Sequence, residues 1–174
     1  MNAPLPEVWL RGPVPGIDPH LQPVAHALLA VLEDVERAAL PLGPEEIWAT
    51  PGGAASIGFH LRHLAGATDR LFTYARGEQL SEHQRAVLAS ERTPGDPPMT
   101  ATELVGGVRR VVESALEQLR RVPPDRLLAP REVGRQRLPS TVLGLLFHAA
   151  EHAQRHAGQI ATTARIVSSM KPTG

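Results

Sequence analysis

Three histidines, His148, His152 and His156, recur at intervals of four residues near the C-terminal end of the chain. A helix turns about 100° per residue, so positions four apart lie about 40° apart and one turn along the same face. Neutral imidazole is the commonest transition-metal ligand among side chains. An i, i+4 pair on one helical face is the local geometry that zinc sites use. Donor type alone does not select the metal, because Zn, Ni, Fe and Mn all accept imidazole. A reactive site needs a third ligand from another helix and an open coordination position.

The third ligand is sought at His60 and His63. They are three apart, about 60° around a helix, so one of them can point at a given ion. Periodicity fits both: His60 shares a seam with Ile57, Leu64 and Leu71, and His63 shares one with Phe59, Ala67 and Arg70. A di-iron carboxylate site is excluded. It needs Glu-x-x-His on two helices, and Glu151 is followed three places on by Gln154. A lone histidine on an apolar face is ordinarily a hydrogen-bonded core residue. Two on one seam are harder to bury without partners. Three neutral imidazoles leave a divalent charge uncompensated, which favours hydroxide, a thiolate or a substrate oxygen as fourth ligand. The chain has no cysteine, so any thiol comes from outside.

The elements that must position these rings are helices. Of 174 residues 42% are hydrophobic, 21% charged and 3% aromatic, so the core is aliphatic and there is no base-stacking surface. Eighteen basic residues balance eighteen acidic ones, which argues against nucleic acid and anionic membranes as partners. No apolar run reaches the roughly 18 residues of a membrane span. The proline-rich start, with Glu7, does not read as a signal peptide, so a cytoplasmic location is expected.

Residues 1–19 read as a proline-rich N-terminal arm, 20–169 as the domain and 170–174 as a tail. Leu21, Val24, Leu28, Val31, Val35 and Ala38 predict a first helix over about 20–39. One helical turn and a Pro-Gly-Gly loop fill 44–55. Ser56 caps a second helix over 57–76, stopped by Gly77. Residues 80–92 hold a short helix at best. Thr100 and Glu103 form a capping box for a third helix, whose stripe runs Leu104, Val108, Val111, Ala115, Leu119, Val122. An arginine-rich connection at 125–138 leads to the fourth helix, about 141–168. Its stripe is Val142, Leu145, Ala149, His152, His156, Gln159, Thr163, Ile166. No strand signal is found. The expected fold is all-α, a four-helix bundle with long connections after helices two and three.

Two segments resemble the DinB-like (DinB/YfiT) family of four-helix bundles, which usually carry a divalent metal in a three-histidine site. Ser56–Gly66 is similar to the family's second helix, where the ligand histidine is followed by an aliphatic residue and alanine; that match selects His63. Asp69 belongs to the same similarity. His152-Ala153-Gln154-Arg155-His156-Ala157-Gly158-Gln159-Ile160 resembles the family's His-x-x-x-His-x-Gly-Gln-hydrophobic ending and selects His152 and His156. A tryptophan that many relatives carry beside these histidines is replaced by Arg62, Arg155 and Ala157.

The resemblance implies a metal-dependent transferase or hydrolase that uses activated water or a low-molecular-weight thiol such as bacillithiol or mycothiol. A small-molecule substrate and a homodimer go with it. Gln159, His60, His148, Arg62 and Arg155 are the candidates to orient ligands or meet substrate, with Arg70 a further candidate for carboxylate recognition. The alternative is a non-catalytic metal- or ligand-binding bundle in a stress response. A third reading is a bundle that has lost its metal.

Overall fold

The structure is a computed structural model that describes residues 5–170. The first four residues of the expected arm and the last four of the expected tail lie outside the described residues. Among the described residues six α-helices and one hairpin follow in order: α1 (Gln22–Ala39), α2 (Pro44–Trp48), α3 (Ile57–Arg76), α4 (Glu82–Ser90), α5 (Ala101–Arg121), β1 (Pro130–Val133), β2 (Leu138–Thr141) and α6 (Val142–Ser169).

The four long helices form the bundle. α3 packs on α6 and α5, and α1 packs on the same two, so α1 and α3 face each other across a diagonal. The α1 stripe is buried as its spacing requires, with Leu28, Val31 and Val35 fully enclosed. Leu61 and Leu64 of α3, Val108 and Leu119 of α5, and Leu146 and Ile160 of α6 complete the centre. Ser56 Oγ accepts the Phe59 N–H at 3.1 Å and starts α3. Gly77, at φ +83°, ends it in the left-handed conformation that glycine adopts without penalty. Thr100 and Glu103 cap α5 reciprocally. No helix among the described residues is long and apolar enough to cross a membrane.

Three features depart from the sequence expectation. The first is the hairpin. β1 and β2 pair antiparallel, with Arg131 opposite Ser140 and Val133 opposite Leu138. Each strand has four residues, lies at the surface and contains a proline, so neither shows the apolar alternation that marks a strand. The second is the start of α6, at Val142 rather than 141, with Thr141 as the cap, accepting the Gly144 N–H at 3.0 Å.

The third is the rotation of α6. Its buried face runs through Ala149, Ala153, Ala157, Ile160, Ala164 and Val167. His152 and His156 are half-buried, Gln159 is exposed, and Ile166 is 44% exposed. Alanines carry the buried face, and alanine is a weak marker of burial. The histidines therefore occupy the shoulder of α6 beside α3, which leaves them open on one side.

Residues 5–19 of the proline-rich arm lie over the domain. Val8 and Ile17 are buried, and the Gln22 side chain binds both backbone atoms of Val14 and the Ile17 carbonyl.

Candidate metal centre

α3 brings His60 and His63 against His152 and His156 of α6. The rings of His63 and His156 are 4.8 Å apart between centroids, those of His63 and His152 5.1 Å, and those of His152 and His156 4.6 Å. His63, His152 and His156 each present one ring nitrogen so that the three nitrogens lie within 4.8 Å of one another. That is close enough for three donors to share one ion. The donor set is also chemically suited. Burial first, and then the neighbouring rings, push His156 down to about 4. Burial and the adjacent His63 lower His152 in the same way. Both rings are thus neutral at pH 7 and keep the lone pair that a metal requires.

Two of the rings have a partner on their far side. His63 Nδ1–H donates to Glu91 Oε2 at 2.7 Å, which leaves Nε2 as the donor atom. His156 Nδ1 lies 3.0 Å from His60 Nδ1. When the proton sits on His156, its Nε2 is free for an ion and His60 is the acceptor behind it. His60 is itself buried, and burial lowers its pKa, so it remains neutral in that role. Phe59 stacks on the His63 ring at 5.4 Å, and the Arg92 guanidinium lies over the Phe59 ring, 4.7 Å from its centroid.

The remaining candidates lie elsewhere. Arg62 binds Ser90 Oγ at 2.9 Å and the Thr93 carbonyl, fastening the end of α4 to α3. Arg155 is paired with Glu151 on the surface of α6. His148 is exposed, 3.4 Å from Glu151, with its ring 5.8 Å from that of His152. Gln159 is exposed and makes no side-chain hydrogen bond among the described residues. Arg70 does recognise a carboxylate, but an internal one: its Nη1 donates to Glu91 Oε1 at 2.7 Å. Asp69 accepts from Gln84 of α4 at 2.7 Å.

Glu91 is the contributor that the sequence hid. It is 3% exposed and stands 28 residues from His63, just past α4 in a segment that reads as polar connection. The available hint was Gly66, one turn of α3 from both His63 and Arg70. A Cβ at Gly66 would stand 2.5 Å from Glu91 Oε1 and 2.7 Å from Arg70 Nη1. The missing side chain makes room for the ion pair.

A cavity of about 360 Å³ between α3, α4 and α5 is lined by Arg62, Gly66, Arg70, Gln84 and Arg110 among others, and by none of the three histidines. The cluster sits on the α3–α6 side instead.

Comparison with known proteins agrees with this architecture. The family model of the DinB superfamily matches residues 20–160. Among solved structures, the crystal structure of a conserved protein from Enterococcus faecalis superposes with a TM-score of 0.64 at 20% identity, covering 86% of this chain and 97% of that one. That likeness speaks to fold alone. No protein of curated function matches the chain.

Proposed function

Since the chain belongs to the DinB superfamily, we infer that it binds a divalent metal ion through His63, His152 and His156 and uses it on a small-molecule substrate. The observation that carries this reading is the approach of three imidazole nitrogens, from two helices, to within 4.8 Å of one another. When bound, an ion with three neutral ligands and an open position acts as a Lewis acid and makes water or a thiol nucleophilic near neutral pH.

The chain's own residues set the conditions for that. His152 and His156 offer lone pairs because burial disfavours their protonation. Glu91 orients His63. The half-buried shoulder of α6 leaves an approach from solvent. A thiol co-substrate would be external, because the chain contains no cysteine. A homodimer acting on a small molecule is part of the same reading.

One observation favours the second reading, metal binding without turnover. The carboxylate that contacts a ligand histidine, Glu91 on His63, and the nearby Glu151, which contacts His148, are each already paired with an arginine, Arg70 and Arg155. Neither stands ready as a general base.

Metal analysis of protein purified without a histidine tag, beside His152→Ala, tests the shared part. About one ion per chain is expected in the wild type and little in the variant. No metal in either, with unchanged stability, would overturn both readings. Thiol conjugation to electrophiles, with and without chelator, then separates turnover from binding.

A further inference from the structure

We propose that Glu91, held by Arg70 in the space left by Gly66, is a positioning residue for the metal centre: it fixes the proton of His63 on Nδ1 and aims Nε2 at the shared point. The inference rests on the metal reading above, and it rests on geometry. Glu91 is reached by two α3 side chains from opposite oxygens, His63 Nδ1 on Oε2 and Arg70 Nη1 on Oε1, both at 2.7 Å. The Glu91 and Arg70 side chains are 4% and 10% exposed, so water does not compete for these bonds. A carboxylate only accepts hydrogen bonds, so the nitrogen facing it must carry the proton and the other must carry the lone pair.

Glu91 itself is delivered from outside the bundle. Arg62, adjacent to His63, ties Ser90 and Thr93 on either side of it. Three α3 residues within nine positions therefore grip the end of α4. The α3–α5 connection thereby acquires a task, because it carries the group that orients an α3 ligand.

The test uses the full-length protein and two variants. E91Q keeps an oxygen near His63 but adds a donor and removes the charge. G66A changes no charge and improves helix propensity, yet its methyl would occupy the place of the carboxylate and guanidinium tips. Long-range ¹H–¹⁵N spectra of metal-free protein read the proton position on each imidazole. The wild type should show His63 protonated at Nδ1 alone, and both variants should show mixed tautomers. Zn²⁺ titration against a chromogenic chelator should give about 10–100-fold weaker binding in both variants, and Co²⁺ absorption bands should shift. A folded E91Q with His63 still solely Nδ1-protonated, wild-type Zn²⁺ affinity and an unchanged Co²⁺ spectrum would overturn the proposal. Should E91Q fail to fold, the same results in G66A would overturn it. A wild type with His63 fixed at Nδ1–H that takes up no Zn²⁺ would instead overturn the metal reading and leave the orientation of His63 standing.

Discussion

Among the described residues two Arg–Glu–His chains are built from the same three residue types. One is Arg70–Glu91–His63 and the other is Arg155–Glu151–His148. The first joins α3 to the residue after α4, with side chains 10%, 4% and 24% exposed. The second lies along a single face of α6, with side chains 58%, 38% and 53% exposed. In the first, both links are 2.7 Å. In the second, the histidine stands 3.4 Å from its carboxylate. The difference shows what burial adds to a set of charges. In water the pairs are screened and each side chain pays entropy to hold its place. Inside, each group depends on its partner, because an unpaired charge has no water to turn to.

The largest effect that would separate the two chains is on stability. Arg70→Met leaves Glu91 buried without its cation, and a loss of about 3–5 kcal/mol is expected by urea unfolding. Arg155→Met removes a partner from an exposed carboxylate that water can solvate at once, and the unfolding midpoint should stay within error of the wild type. Equal losses in the two variants would erase the distinction drawn here.

That distinction also explains what the sequence made legible. The surface chain has steps of three and four residues on one helix, a spacing that brings its members together locally, though the sequence reading did not pick it out. The buried chain closes across 28 residues, and no local pattern carries such a contact. The long helices were readable because the buried aliphatic positions repeat every three or four residues, as at Leu28, Val31 and Val35. The caps at Ser56 and Thr100 were readable because a side-chain oxygen three residues ahead of an orphan N–H is a local device. The histidines of α6 were readable as a set. Their exact facing was not, since the buried stripe beside them is largely alanine. The hairpin at 130–141 was invisible because two four-residue surface strands bury no alternating face.

Acid should act on the histidine cluster and on the surface chain in different windows. His156 and His152 have folded pKa values below the unfolded value of 6.5, with His156 at about 4. Between those limits the unfolded chain binds more protons than the folded one, so stability is full above pH 6.5 and falls as pH drops towards 4. Urea midpoints of metal-free protein should decline over that range, and His156→Gln should flatten the decline. Bound metal should leave in the same window, because protons compete for the same lone pairs. A midpoint that holds steady from pH 7 to 4.5 would contradict the burial of these rings.

The smallest effect belongs to Glu151. Its hydrogen bond from Arg155 lowers its pKa below the ordinary 4.5, with Arg155, His148 and His152 adding attraction. The sign is opposite in consequence to that of the histidines: this carboxylate contributes while ionised, and the contribution goes only as pH falls below about 4.5, where its unfolded counterpart has already taken up a proton. Glu151→Gln should therefore lower the unfolding midpoint only slightly at pH 7, less still in moderate salt, and its curve should converge on that of the wild type at the acid end, where Glu151 is itself protonated. Metal content should also be unchanged, since the histidine that Glu151 contacts is His148, which supplies none of the three converging nitrogens, and its pull on His152 is a through-space attraction at an exposed carboxylate. A loss of metal on Glu151→Gln comparable to that on Glu91→Gln would mean that the exposed chain also orients a ligand, and that burial is not what distinguishes the two.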